Sequence, residues 1–190
     1  DQDGRKMSKS LGNVVNPMDL LPRFGADAVR WYLTNSGSPW VPKRISFEAI
    51  EQGMRRVLLT LWNTYSFFVT YANLEKFAPD EEAHESGNIL DIWIRSRMSS
   101  LIQSVTNDLE GYDALTASQE IAQFIDDLSN WYVRRSRERF WGTEKTADRA
   151  AFQTLYDALI TVVKLLAPIC PYISEEIYRN LVCSVNSSMP

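Results

Sequence analysis

The segment near the amino terminus has the clearest potential for chemistry. Lys6 and Lys9 lie three residues apart, and the hydroxyl groups of Ser8 and Ser10 stand on either side of Lys9. Lysine side chains act as mobile point charges and hydroxyl groups add hydrogen-bond donors, so this composition suits a polyphosphate ligand. Two lysines at this spacing also occur in ordinary solvated loops, and residue type alone favours that simpler interpretation.

The residues around these lysines extend the pattern. Residues 6–10 read Lys-Met-Ser-Lys-Ser, Gly12-Asn13 follows, and residues 24–32 read Phe-Gly-Ala-Asp-Ala-Val-Arg-Trp-Tyr. This string resembles the second signature of class I aminoacyl-tRNA synthetases and the sequence that follows it. The resemblance implies that the two lysines steady the phosphates of ATP while an amino acid carboxylate attacks the α-phosphorus. Such contacts accelerate a reaction when they are stronger in the transition state than in the ground state.

The resemblance assigns roles within this loop. Lys6 and Lys9 take the catalytic role, and the two serines act as supporting donors. The expected substrate is ATP, with Mg²⁺ in the intact protein, and no structural metal is expected in this chain. The residues implied in ATP binding are Lys6, Met7, Ser8, Lys9 and Ser10.

A second candidate site lies in a basic stretch of the sequence over residues 116–141, which is predicted to form a long helix, the third of the chain. At 100° per residue, the apolar stripe through Leu128 and Tyr132 is predicted to continue into Arg135 and Arg139. Arginine beside aromatic side chains suits contacts to RNA phosphates and bases. The acidic residues of segment 80–85 could instead neutralise these arginines, and the residues alone leave both interpretations open. The candidate RNA-binding residues are Trp131, Arg134, Arg135, Arg137 and Arg139.

The sequence around these arginines also resembles a known domain. Residues 130–137, with Phe140-Trp141 after them, resemble the anticodon-binding domain of isoleucyl-tRNA synthetases. Residues 167–178 resemble a later helix of that domain, shared with the valyl and leucyl enzymes. The implied partner is the anticodon stem-loop of tRNA. The intact protein is then expected to activate isoleucine with ATP and charge tRNA, and this carboxy-terminal part alone is expected to be inactive.

Three alternatives remain open at this point. The first is the same portion of a valyl-, leucyl- or methionyl-tRNA synthetase. The second is a non-catalytic tRNA-binding module that acts alone, and the third is a helical scaffold for protein interactions. Salt-dependent binding of tRNA would separate the second alternative from the third.

The elements that position both sites are predicted to be helices. Asn16-Pro17 favours the start of a short helix that Pro22 ends or kinks and Gly25 closes. A helix over residues 26–35 and a connector over residues 36–44 follow. Apolar residues at three- and four-residue spacing then predict long helices. Their ranges are 47–76, 89–110, 116–141 with a capping box at Thr116 and Gln119, 147–167, and from after Pro171 to 182.

These helices predict an all-α fold. It is an up-and-down antiparallel helix bundle over residues 46–190, preceded by a small helical module over residues 1–45. The family resemblance identifies the module as the end of a catalytic domain, comprising the Lys-Met-Ser-Lys-Ser loop and a stem-contact module. In such a bundle the loops over residues 77–88 and 142–146 share the end far from the module.

The composition limits other functions. The net charge is −4, so contact with nucleic acid must come from a local basic patch. Cys170 and Cys183 lie thirteen residues apart, and His84 is the only histidine, so a zinc site is not expected. There is no apolar run of membrane-spanning length, and we expect a cytoplasmic protein with reduced thiols and no membrane partner.

Overall fold

The computed structural model describes residues 4–79, 86–141 and 148–183. A loop with one turn of 3-10 helix, Lys9–Leu11, leads to α1 (Pro17–Phe24) and α2 (Ala26–Asn35). Asn16 caps α1, because its Oδ1 accepts the backbone N–H of Met18 at 3.0 Å. Of the two predicted effects of Pro22, an end or a kink, the first is wrong, because α1 continues through Pro22 to Phe24, and Gly25 closes it as expected. The carbonyl that Pro22 cannot bond belongs to Met18, which lies on an exposed turn that water can reach.

After a connector over residues 36–46, helices form most of the rest of the described chain. Within the described ranges there is no β-strand, and the predicted all-α fold is confirmed. The first long helix comprises α3 (Phe47–Gly53), a π-helical segment (Met54–Leu59) and α4 (Thr60–Leu74), and α5 (Ile89–Glu110) follows it. The third comprises α6 (Ala114–Asp126), a π-helical segment (Asp127–Val133), α7 (Arg134–Ser136) and a 3-10 turn (Arg137–Arg139). The last are α8 (Arg149–Leu166), α9 (Pro171–Tyr178) and a π-helical segment (Arg179–Cys183).

Helix α6 begins earlier than the predicted capping box. Asp113 is its N-cap, because the carboxylate accepts the backbone N–H of Thr116 at 3.0 Å and the hydroxyl of Thr116 at 2.8 Å. A carboxylate fills this position well, since it satisfies a free N–H group and complements the positive end of the helix. The prediction that Thr116 itself caps the helix is therefore wrong.

The π-helical segment Asp127–Val133 sets which side of the third long helix faces the core. Leu128, Tyr132, Ser136 and Phe140 are all buried and lie four residues apart. In an ideal α-helix each four-residue step would turn the side chain about 40° further round. The wider π turn absorbs part of that rotation, so the core stripe passes through Ser136. The prediction that Arg135 continues the apolar stripe is wrong, because Arg135 is exposed.

Helix α2 docks the amino-terminal module on the turn between α8 and α9. The Asp27 carboxylate accepts the backbone N–H of Ile173 at 2.7 Å, within the first turn of α9. One turn further along, Arg30 donates to the carbonyls of Ile169 at 2.8 Å and Pro168 at 3.0 Å. The carboxylate thus meets a helix amino terminus and the guanidinium meets carbonyls just past a helix carboxyl terminus, which matches both helix dipoles.

Candidate phosphate-binding loop and RNA-binding surface

The Lys-Met-Ser-Lys-Ser loop is held in shape by Asn13. Its Oδ1 accepts the backbone N–H of Ser8 at 2.8 Å, and its Nδ2 donates to the carbonyl of Lys6 at 3.2 Å. The hydroxyl oxygens of Ser8 and Ser10 lie 2.7 Å apart. Sequence reasoning gave Asn13 no role, and the only available signal was its place directly after Gly12 in the motif.

Gly12 closes the 3-10 turn of this loop. Its φ is 65°, in the left-handed region, and its backbone N–H donates to the carbonyl of Lys9 at 3.2 Å. A side chain at this position would be strained, so glycine permits the reversal that brings Asn13 back to the loop.

The two lysines of the loop are available to a ligand. Lys6 and Lys9 are exposed, and neither ammonium group pairs with a carboxylate in the described part of the chain. Ser10 is also exposed, whereas Ser8 is half-buried. Two unpaired cations and two hydroxyls on a short, hydrogen-bonded loop form a surface that can bind an anion.

Trp131 and Arg135 form a stacked pair on the outside of the third long helix. The Arg135 guanidinium carbon lies 3.8 Å from the centroid of the Trp131 ring, and 47% of Trp131 is exposed. Arg134 and Arg137 are exposed beside this pair, and the Arg137 guanidinium carbon lies 5.9 Å from the ring of Trp141. Such a surface offers both positive charge and aromatic faces.

Arg139 differs from the other arginines. Its side chain is 15% exposed, and Nη1 and Nη2 each donate to a carboxylate oxygen of Asp91 at 2.7 Å. Nε donates to Asp148 at 2.9 Å, and the hydroxyl of Tyr132 donates to Asp91 at 2.7 Å. This geometry does not support the prediction that Arg139 contacts RNA, because Arg139 is paired with two carboxylates of the protein itself.

These bonds also perturb the titration of the groups involved. Burial alone would lower the pKa of Arg139, but its hydrogen bonds to Asp91 and Asp148 raise that pKa instead. Burial raises the pKa of Tyr132, and the adjacent charge of Asp91 raises it further. Arg139 therefore stays charged and Tyr132 stays neutral, and together they hold the carboxylate in the core.

The loops that should share the far end of the bundle lie partly outside the described residues. Segments 80–85 and 142–147 lie outside the described residues. His84 and the acidic residues that were predicted to neutralise the arginines belong to the first of these segments. The flanks of the two loops do meet, because Arg149 donates to the carbonyl of Ala78 at 2.9 Å. In the described chain, the countercharges of Arg139 are Asp91 and Asp148.

The described residues contain no group of three or more His, Cys, Asp or Glu side chains that could hold a metal ion. None of the described helices is both long enough and apolar enough to cross a membrane.

Two parts of the chain match known protein families. Residues 91–189 match the family described as the anticodon-binding domain of tRNA ligase. The chain belongs to that family. Residues 1–41 match the family described as tRNA synthetases class I (I, L, M and V). The resemblance seen in the sequence to class I aminoacyl-tRNA synthetases is confirmed.

Similar curated proteins are named isoleucine–tRNA ligase. One from Clostridium novyi is 48% identical over 188 residues, which are 98% of this chain and 18% of that protein. Another from Streptomyces avermitilis is 44% identical over an alignment of 191 positions, which covers the whole of this chain and 18% of that protein. The chain thus spans about a fifth of the length of the tRNA ligases that it matches.

Solved synthetase structures share the fold. An Agrobacterium radiobacter leucyl-tRNA synthetase, solved as a ternary complex with tRNA and LeuAMS, is 27% identical with a TM-score of 0.68, over 96% of this chain and 22% of that one. A Mycobacterium tuberculosis methionyl-tRNA synthetase is 20% identical with a TM-score of 0.73, over 97% of this chain and 39% of that one. The second likeness concerns the fold alone.

Proposed function

We propose that this chain is the part of an isoleucine–tRNA ligase that steadies ATP and binds the anticodon stem-loop of tRNA. The proposal rests on two features that occur in one chain. The first is an exposed lysine loop held by Asn13, and the second is an anticodon-binding bundle. The names of the similar proteins support isoleucine as the amino acid. The chain contributes these two functions to a longer enzyme.

The loop acts on ATP through charge and position. Lys6 and Lys9 approach the phosphates as mobile cations and stabilise the negative charge that grows as the amino acid carboxylate attacks the α-phosphorus. The hydroxyls of Ser8 and Ser10 add donors to the phosphate oxygens. Mg²⁺ is expected to accompany ATP in the intact enzyme. Positioning of the reactants can lower the activation barrier by roughly 7–11 kcal/mol. This chain alone does not position them, so we expect it to be inactive by itself.

The far end of the bundle binds RNA through Trp131, Arg134, Arg135 and Arg137. Arg134 and Arg137 are exposed and form no ion pair in the described part of the chain, so they can contact phosphates. The stacked Trp131–Arg135 pair offers a flat surface to an unstacked base. The leucyl-tRNA synthetase solved with tRNA supports tRNA as the class of partner.

A titration with anticodon stem-loop RNA tests this surface. We expect the wild-type chain to bind weakly, with an affinity that falls steeply as salt rises, since the contacts are mostly to phosphates. The Arg134→Ala, Arg137→Ala double variant should bind more weakly and depend less on salt. An Arg55→Ala, Arg179→Ala double variant removes two exposed arginines elsewhere and is the matched control.

The outcomes separate the remaining functions. Identical curves for the wild type and the Arg134→Ala, Arg137→Ala variant would place the RNA contact elsewhere on the bundle. No binding of any RNA would favour a protein-interaction scaffold. Anticodon stem-loops that correspond to valine, leucine and methionine serve as competitors, and stronger binding of one of them would contradict the isoleucine assignment.

A further inference from the structure

An apolar cavity opens where the amino-terminal module meets the bundle. Its volume is about 610 Å³, and it lies between the turn that joins α1 to α2, the first long helix and the first turn of α9. Among the residues that line it, Phe24, Ala28 and Leu58 are buried in the core. The volume lies within the range of roughly 300–1,000 Å³ that is common for binding pockets, so the cavity has room for at least one large apolar side chain.

Three large apolar side chains that line this cavity are exposed. Leu59 is 45% exposed, Trp62 37% and Tyr172 69%. The Trp62 ring packs against the ring of Tyr65, with centroids 5.2 Å apart, which restrains its orientation. Exposed apolar side chains grouped around an apolar pocket are typical of a contact surface for another protein segment.

Asp27 gives the same cavity a negative charge. The residue is 8% exposed and lines the cavity, and its Oδ1 has no hydrogen-bond partner in the described chain. Arg30 donates to two backbone carbonyls, and Asp27 forms no ion pair within the described ranges. Buried carboxylates are usually paired with a cation, so the cavity suits an occupant that carries positive charge beside an apolar group.

The intact enzyme contains sequence that could supply this occupant. The chain spans about a fifth of the length of the similar tRNA ligases, so most of such an enzyme lies outside it. The cavity is lined by Phe24 and Asp27 from the part that matches class I tRNA synthetases, and by Tyr172 from the anticodon-binding part. A segment that docks here therefore contacts both parts at once.

We propose that this cavity is the docking site, within the intact enzyme, for a segment outside this chain that presents an apolar side chain next to a basic one. The apolar side chain packs against Leu59, Trp62 and Tyr172, and the basic side chain pairs with the charge of Asp27. This inference rests on the proposed function, because it requires the chain to be part of a longer enzyme. The docked segment stabilises the packing of the lysine-loop module on the bundle.

Hydroxyl-radical footprinting with peptide mass spectrometry tests the cavity in the intact enzyme without tRNA. Trp62 and Tyr172 should be oxidised about tenfold more slowly there than in this chain alone, as expected if the segment occupies the cavity about nine-tenths of the time. Trp131, on the RNA-binding surface, should react equally in both proteins and become protected only when tRNA is added. Circular dichroism checks that the chain alone retains its helices.

Variants of the intact enzyme test the two parts of the contact. Leu59→Glu places a charge in the cavity wall and should raise the oxidation rate of Trp62 to its value in the chain alone. Leu74→Glu changes an exposed leucine of the same long helix outside the cavity, and should leave that rate unchanged. Asp27→Asn retains an oxygen for the N–H group of Ile173 but removes the charge, and should raise the rate by a smaller factor.

The outcomes separate this inference from the proposed function. Equal oxidation of Trp62 in the intact enzyme and in the chain alone would overturn the inference, whereas protection of Trp131 by tRNA would still support the proposed function. Protection of Trp62 only after tRNA is added would make RNA the occupant, and protection that disappears on dilution would make it a second copy. Either result would overturn the inference. An unchanged rate in Asp27→Asn would overturn the charge pairing.

Discussion

Arg139 and Asp91 form a two-pronged ion pair across the bundle, with both nitrogen–oxygen distances at 2.7 Å. Arg139 lies at the end of the third long helix and Asp91 in the first turn of α5, where no part of the carboxylate reaches solvent. The pair joins two helices, and its two residues lie 48 positions apart in the sequence. A residue that looks like an RNA contact in the sequence therefore holds the fold together.

Removal of either partner should destabilise the bundle. We expect Arg139→Ala to lower the free energy of unfolding by about 3–5 kcal/mol, because it leaves a buried charge without its partner. Arg135→Ala removes an exposed guanidinium from the same helix and should change stability by only about 0.5 kcal/mol. Urea unfolding monitored by circular dichroism measures both. Equal losses in the two variants would contradict the internal role of Arg139.

The same pair should make stability depend on acidity. Burial alone would raise the pKa of Asp91, but hydrogen bonds from Arg139, Ser86 and Tyr132 outweigh it and hold that pKa below its ordinary 3.8. Its contribution to stability is then full above the unfolded-state pKa and is lost as the pH falls through the lower folded-state pKa.

Unfolding curves at a series of acidic pH values test this expectation. The wild type should lose stability more steeply than Asp91→Asn from about pH 5 downward, since asparagine has no proton to bind. Parallel pH profiles for the two proteins would show that Asp91 titrates normally in the folded state.

The two cysteines should differ in reactivity. Burial, with the charge of Asp27 as a second cause, raises the pKa of the Cys170 thiol to about 12. Cys183 is only half-buried. Because the thiolate is the reactive form, a thiol-alkylating reagent at neutral pH should modify Cys183 first and Cys170 only when the chain unfolds. Peptide mass spectrometry with and without urea gives the order, and early labelling of Cys170 would contradict the packing of α2 on the α8–α9 turn.

The lysine loop is tested in the intact enzyme. Lys9→Ala should slow ATP–pyrophosphate exchange by about two orders of magnitude or more, because charge stabilisation in the transition state is lost, and should spare tRNA binding. Asn13→Ala leaves both lysines but releases the loop, so it should lower the same rate by a smaller factor. Lys164→Ala, on the bundle, is the control. Unchanged exchange in Lys9→Ala would remove the catalytic assignment.

Local signals in the sequence were enough for most helices. The predicted limits of α2 and α5 agree with the structure, because Gly25 precedes α2, and Asn88 and Gly111 bound α5. Capping and chain reversal depend on residues within a few positions, so they are visible in a linear sequence. The boundaries moved where a stronger capping residue stood nearby, as Asp113 does before Thr116.

The all-α fold, the family and the lysine loop can each be recognised from a contiguous pattern of residues in the linear sequence. Helix packing determines which of the described arginines are buried in ion pairs. The π-helical segment Asp127–Val133 changes the register by a fraction of a turn, and no three- or four-residue pattern reveals that change. The partners of Asp27 and Arg30, and the Asp91 partner of Arg139, lie 48 to 146 residues away. Contacts over such separations depend on how the helices pack, and packing joins residues that the sequence keeps far apart.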